Sequence, residues 1–150
     1  VVEITGRPFT ASLPRLEYLD PHTVQIGVDI DRPTLDERIA QRVDAMFDAG
    51  FVAEVERLLV EGLAEGRTAG RAIGYREVAA YLAGELTLDE ARERTVNATR
   101  RFSRRQDSWF RKDPRVVWIR YDDPELVSRA LEAVRASKIG QAPEERSPPD

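Results

Sequence analysis

Two segments of this chain carry the β-branched, apolar character of strands, Thr23–Ile30 (TVQIGVDI) and Val116–Ile119 (VVWI), and everything between them reads as helix and turn. Two strands separated by helices suggest pieces of a parallel sheet. Two strands make a poor sheet by themselves. The expected fold class is therefore α/β and mostly helical, with about two strands present and their further neighbours in sequence outside this chain.

The helices announce themselves locally. Thr34-Leu35-Asp36-Glu37 reads as a capping box, with Thr34 as the cap, followed by Leu35, Ile39, Val43, Met46 and Phe47 at helical spacing. Gly50 stops that helix, and Phe51, Val52, Val55, Leu58, Leu59 and Leu63 continue as a second. Gly62, Gly66 and Gly70 predict a flexible loop, followed by a short helix from about Ala72 to Ala83. Thr87-Leu88-Asp89-Glu90 is a second capping box and opens the longest helix, which Asp113-Pro114 halts after about Lys112. Asp123-Pro124 reads as a cap followed by proline in the first helical position, with Leu126, Val127, Leu131 and Val134 lining the last helix. Gln141–Asp150 is polar and proline-rich, the composition of a disordered tail.

Composition removes several classes of chemistry. The chain has no cysteine, so disulfides and thiolate catalysis are excluded and a cytoplasmic location is the default. His22, the only histidine, lies in a turn-like stretch after Asp20-Pro21, which leaves no basis for a zinc site or a serine–histidine–acid triad. No apolar run is long enough to span a membrane. Neither a G-x-x-x-x-G-K-[ST] phosphate loop nor a G-x-G-x-x-G motif is present, and Lys112 and Lys138, the only lysines, are in the wrong context for one.

Three segments remain that carry chemistry. The net charge of −4 argues against a nucleic-acid partner, but Arg100–Arg115 alone carries +5, leaving −9 on the rest of the chain. On a helix, Arg101, Arg104, Arg105, Ser108 and Lys112 form one basic face, while Ala91, Thr95, Ala98, Phe102 and Trp109 form a mostly apolar stripe. Such a face suits phosphates, and it equally suits a solvated surface helix with ion pairs. Trp109 and Phe110 read as core residues rather than stacking platforms. In the second segment, Gly70 and Gly74 bracket Arg71 at an expected helix start, a combination that can hold an anion or simply form a glycine-broken loop. In the third, Asp29 and Asp31 end the first strand; carboxylates there can bind magnesium or act as bases, but capping the next helix is the favoured role.

Taken together the motifs resemble the tRNA dimethylallyltransferases, also called tRNA isopentenyltransferases. Ile4-Thr5-Gly6-Arg7-Pro8, Leu35-Asp36-Glu37-Arg38-Ile39 with Arg42-Val43-Asp44 and Met46, and Gly50-Phe51 with Glu54-Val55 are similar to stretches of that family. Arg71-Ala72-Ile73-Gly74-Tyr75-Arg76-Glu77 resembles its RxxGYRE/Q signature. Thr99-Arg100-Arg101-Phe102 with Arg104-Arg105-Gln106 and Trp109 resembles its TRxxxxRQxxW signature. The likeness runs in order from Val1 to about Ile119.

The resemblance implies a P-loop NTPase-like parallel-sheet core with an inserted helical domain, of which this chain is the C-terminal half. Residues 1–22 would then be the end of the inserted domain and a return loop, 23–137 the C-terminal part of the core, and 138–150 the tail. It implies transfer of a dimethylallyl group from dimethylallyl diphosphate to the exocyclic amine of the adenine 3′ of the anticodon, with the base flipped out of its stack. Mg2+ would help hold the diphosphate, its ligands lying outside this chain. Arg71 matches the arginine that stabilises the donor diphosphate. Val96, Asn97, Ala98, Thr99, Arg100 and Arg101 match a tRNA-contacting stretch, and Arg104, Arg105 and Gln106 continue it. The implied partners are a tRNA anticodon stem-loop and the donor, bound by a monomer with no membrane association. Because the phosphate loop and the base are missing, the chain alone is expected to be inactive. The competing readings are a stand-alone RNA-binding module and half of a P-loop kinase-like enzyme.

Overall fold

In the computed structural model, residues 23–66 and 68–139 are described; the expected return loop, His22 and the tail beyond residue 139 lie outside them. The two strand signals form β1 (Gln25–Asp29) and β2 (Val116–Arg120). They pair in parallel, with Gln25 opposite Val116 and Asp29 opposite Arg120. Gly27 lies opposite Trp118, and a Cβ on it would sit 2.6 Å from the indole, so the strand glycine makes room for that ring. The VVWI run is apolar enough for a buried strand, but among the described residues β2 is covered only in part: Ile119 is buried and Val117 is exposed.

Five helices separate and flank the strands: α1 (Arg32–Asp48), α2 (Phe51–Val60), α3 (Tyr75–Leu82), α4 (Leu88–Phe110) and α5 (Leu126–Ile139). Helix α1 starts two residues before the expected cap. Asp31 is the cap, its carboxylate accepting hydrogen bonds from the Thr34 amide (3.1 Å) and hydroxyl (2.7 Å). An ionised carboxylate is a strong cap, and Pro33 fits the first turn, so the helix begins earlier and Thr34 falls inside it. Thr87 and Glu90 form the reciprocal box expected at α4. Helix α5 starts at Leu126 rather than Pro124, because the Asp123 carboxylate takes the Glu125 amide in a turn before it. The glycine-rich stretch after α2 is not an open loop. It forms two 3-10 turns, Leu63–Glu65 and Ala69–Arg71, and Leu63 packs on the core.

The core is helical. Val43 and Phe47 of α1, Phe51 and Val55 of α2, and Val78 of α3 are buried together. Phe51 is the hub, meeting Phe47 at 5.6 Å and Tyr75 at 5.3 Å between ring centroids, both edge to face. Ala91, Thr95 and Ala98 of α4 are buried where that helix packs on α1 and α3. Their small size lets the three helices approach closely.

Helix α3 begins three residues later than the sequence suggests, at a left-handed turn. Gly74 has φ +94°, and a Cβ there would lie 3.0 Å from the Phe51 ring and 3.5 Å from Thr95. Its amide donates to the Glu77 carboxylate (2.9 Å), whose other oxygen accepts from the Arg76 guanidinium (2.6 Å). Burial pushes the Glu77 carboxyl up, but the hydrogen bonds from Arg76 and from the Gly74 and Glu77 amides outweigh it, and the net shift is downward.

Two measurements check this account. Phe51→Ala should lower the unfolding free energy in urea by about 3–5 kcal/mol, whereas Val60→Ala, on an exposed side chain, should change it by less than about 0.5 kcal/mol. Equal midpoints for the two would rule out Phe51 as the hub. Because the Glu77 carboxyl is depressed in the folded state, its stabilisation is present above the ordinary value of 4.5 and is lost as pH falls below it. Thermal melts between pH 6 and pH 3 should therefore be less pH-dependent for Glu77→Gln than for the unchanged chain, and an identical slope would exclude Glu77 from acid unfolding.

Candidate functional site

The turn that carries Arg71 is built by contact between the two 3-10 turns. Gly70 approaches the Leu63 carbonyl so closely that a Cβ would lie 2.8 Å from its oxygen. The Arg71 amide donates to the Thr68 carbonyl (3.1 Å), closing the second turn. Arg71 thus lies at the end of a 3-10 turn and not on the first turn of α3. The expected partnership between its guanidinium and a helix N-terminus is corrected accordingly: the Gly74 amide is already taken by Glu77.

A cavity of about 400 Å³ opens beside it, lined by Leu59, Leu63, Gly70, Arg71, Tyr75 and Arg76, among others. The Tyr75 hydroxyl donates to Glu54 (2.6 Å), and that bond, with burial, pushes its pKa up. Arg71 is exposed, and no carboxylate among the described residues pairs with it. A free guanidinium at the mouth of a half-apolar cavity can fork onto phosphate oxygens, with apolar carbon accommodated beside it.

The basic helix α4 packs directly on α3, so the two signature stretches come together: a Cβ on Gly74 of the first would lie 3.5 Å from Thr95, one residue before Val96 of the second. The second stretch divides by face. Val96 packs against the core, and Ala98 is only 7 % exposed. The Thr99 hydroxyl donates to the Thr95 carbonyl (2.8 Å). Arg100 is half-buried and donates to the Asp36 carbonyl on α1 (3.1 Å), while Arg32 of α1 donates to the Arg100 carbonyl (2.9 Å) and to Ser103 (3.2 Å). Asn97, Arg101, Arg104, Arg105, Ser108 and Lys112 form the other face, and all but half-buried Asn97 are exposed. Arg104 reaches Asp36 only at 3.8 Å, and Arg105 lies over the Phe102 ring at 5.8 Å.

The far end of α4 is tied to the sheet. Arg111 pairs with Asp29 of β1 and with Asp107 (3.0 Å) and stacks on Trp118 at 4.3 Å; the Asp29 contact raises its already high pKa. Arg115 holds the Asp113 carboxyl far below its usual range. These contacts close one side of a larger groove of about 690 Å³ between the sheet and α4, to which Gln106 also contributes. Trp109 is 74 % exposed and Phe110 43 %, which overturns their assignment to the core: among the described residues, nothing packs over that side of α4.

Asp31 fills the capping role expected of it, and Asp29 is committed to Arg111. The described residues contain no cluster of three His, Cys, Asp or Glu side chains that could hold a metal ion. No described helix is long and apolar enough to cross a membrane. Two residues that sequence reasoning passed over, Glu77 and Asp36, organise the neighbours of Arg71 and of Arg100. For Glu77 a signal was available, since it stands three residues after a helix-breaking glycine.

Comparison with known proteins follows the same two signatures. Residues 1–113 match the family described as IPP transferase. A tRNA dimethylallyltransferase of Nocardioides sp. is 81 % identical over 140 residues, covering 93 % of this chain and 45 % of the relative. One from Streptomyces avermitilis is 66 % identical over 119 residues, covering 79 % of this chain and 38 % of the relative. The crystal structure of a tRNA isopentenylpyrophosphate transferase from Bacillus halodurans superposes with a TM-score of 0.73 at 28 % identity, covering 92 % of this chain and 44 % of that one. The chain thus spans about half the length, or less, of these relatives. The fold class is α/β of the P-loop NTPase-like kind, mostly helical with a two-strand parallel sheet. Matched over most of its length by that family and by close relatives, the chain belongs to the IPP transferase family.

Proposed function

We propose that this chain supplies the RNA-facing helix and a donor-binding arginine of an enzyme that modifies tRNA. The reaction is transfer of a dimethylallyl group from dimethylallyl diphosphate to the exocyclic amine of the adenine 3′ of the anticodon. The observation that carries this reading is the packing of α3 on α4, so close that a Cβ on Gly74 would lie 3.5 Å from Thr95, which sets the Arg71 turn beside the basic helix. One rigid unit then presents an anion-binding guanidinium and a phosphate-binding face together.

In the reaction the adenine amine attacks the allylic carbon as the carbon–oxygen bond to diphosphate breaks. Charge grows on the departing diphosphate, and a fixed guanidinium near it lowers the barrier without reorganising. Arg71 is assigned that role. Asn97, Arg101, Arg104 and Arg105 are assigned to the tRNA backbone. Val96, Ala98, Thr99 and Arg100 act from beneath, setting the helix against α1 and α3, and Gln106 faces the groove at the end of that surface. Mg2+ helps hold the diphosphate in this reading, on ligands outside the described residues. The partners are a tRNA anticodon stem-loop and dimethylallyl diphosphate, met in the cytoplasm.

The test joins the preceding portion of the Nocardioides relative to this chain and supplies donor and unmodified tRNA. The chimaera should transfer the group and the 150-residue chain alone should not. RNA binding by the chimaera without any transfer would favour a non-catalytic RNA-binding module instead. In the active chimaera, Arg71→Ala should lower turnover by about 10²–10³-fold, the usual cost of losing one donor to a developing oxyanion; full turnover would remove Arg71 from the mechanism. Binding of an anticodon stem-loop should weaken steeply with salt, and replacing Arg101 and Arg104 with alanine should flatten the log–log slope by about one unit per lost phosphate contact. An unchanged slope would exclude this face of α4.

A further inference from the structure

The cavity beside Arg71 is lined by a second arginine, Arg76, and the two differ in one respect. No described carboxylate pairs with Arg71. Arg76 donates through Nη2 (2.6 Å) and Nε (3.2 Å) to one oxygen of Glu77. The Glu77 side chain is only 4 % exposed, whereas the Arg76 side chain is 68 % exposed. The buried partner is therefore fixed and the exposed one is recruited to it. The other Glu77 oxygen closes the Gly74 amide, removing one backbone donor at the start of α3 that an anion could have used.

We propose that Glu77 lowers the positive charge of this cavity, whose lining also includes the Glu65 carboxylate. By holding Arg76 in an ion pair and occupying the Gly74 amide, it leaves Arg71 as the uncommitted cation that a diphosphate meets among the described lining residues. This inference deepens the anion-binding reading of Arg71 and rests on it. Its physical logic concerns balance. Diphosphate is bound as part of the donor and must also leave as a product, and each additional guanidinium would hold the product more tightly. Glu77 is a positioning residue in this scheme, acting through Arg76 and the Gly74 turn without touching the ligand. Glutamine in its place keeps an oxygen for the Gly74 amide but loses the charge that holds Arg76.

The experiment is an NMR titration of the full 150-residue chain, labelled with 15N-arginine, with inorganic diphosphate at millimolar concentration and neutral pH. In the unchanged chain the Arg71 Nε–H signal should move and the Arg76 signal should not. In Glu77→Gln both should move, and the apparent dissociation constant should fall roughly two- to fivefold, the gain expected from one more exposed ion pair. Replacing both partners together, Arg76→Gln with Glu77→Gln, removes the pair without changing its net charge and should leave diphosphate affinity unchanged; if neither Glu77 variant folds, the Arg76 signal in the unchanged chain tests the same claim. The inference is overturned if Arg76 already responds in the unchanged chain, if the folded double variant binds more weakly, or if folded Glu77→Gln binds no more tightly. If Arg71 responds in no version, the anion-binding reading itself fails, a result distinct from an Arg71 that responds while Arg76 never does.

Discussion

The Phe51 ring occupies the space where a side chain at position 74 would stand. It meets Phe47 from α1 and Tyr75 from α3, both edge to face, and so ties three helices at one point. The contact requires a residue without a Cβ at position 74, and it requires the left-handed backbone that a glycine adopts at little cost. Because a Cβ at position 74 would also come within 3.5 Å of Thr95, the same bare backbone lets α4 pack close to α3. The turn holding Arg71 and the helix holding Arg101 and Arg104 are oriented to each other through this junction, although none of those arginines takes part in it.

Charge follows the same economy of fixed positions. A basic helix on an acidic protein would fold back onto carboxylates wherever it could reach them, and at and just past the C-terminal end of α4 it does. Arg111 is spent on Asp29 and Asp107, and Arg115 on Asp113. Arg100 is drawn to the Asp36 carbonyl of α1. What remains open is Arg101 and Arg105 on α4 and Lys112 just past its end, with Arg104 reaching Asp36 of α1 only at 3.8 Å. A local charge of +5 therefore overstates the cationic surface, and the part that is presented is a narrow stripe beside an exposed tryptophan. At the Arg71 cavity the same device recurs, with a buried glutamate neutralising one of two arginines.

The elements themselves were legible because their signals are local. A capping box, a run of apolar residues at helical spacing and a β-branched strand each act within a few residues, and α4 and the two strands lie where those signals place them within a residue or two, while α2 starts on its signal but ends at Val60, before Leu63. The misplacements share a cause. Asp31 rather than Thr34 caps α1, and Gly74 delays α3, because two local signals overlapped and the stronger acceptor or the tertiary contact decided between them. Trp109 and Phe110 looked like core from their chemistry alone, but burial depends on what lies opposite, and nothing described lies opposite them.

By itself, then, the sequence determined the element types, the parallel sense of the strand pair and the family, since periodicity, capping and the two arginine signatures are written in contiguous residues. Only the tertiary structure decided which arginines are available. Arg100 finds its acceptor 64 residues away and Arg111 pairs with a carboxylate 82 residues away, so their commitment is invisible in any local window. It also revealed that Glu77 serves the Gly74 turn and Arg76 at once, because whether a carboxylate is a surface charge or a buried clamp depends on the helices that close over it.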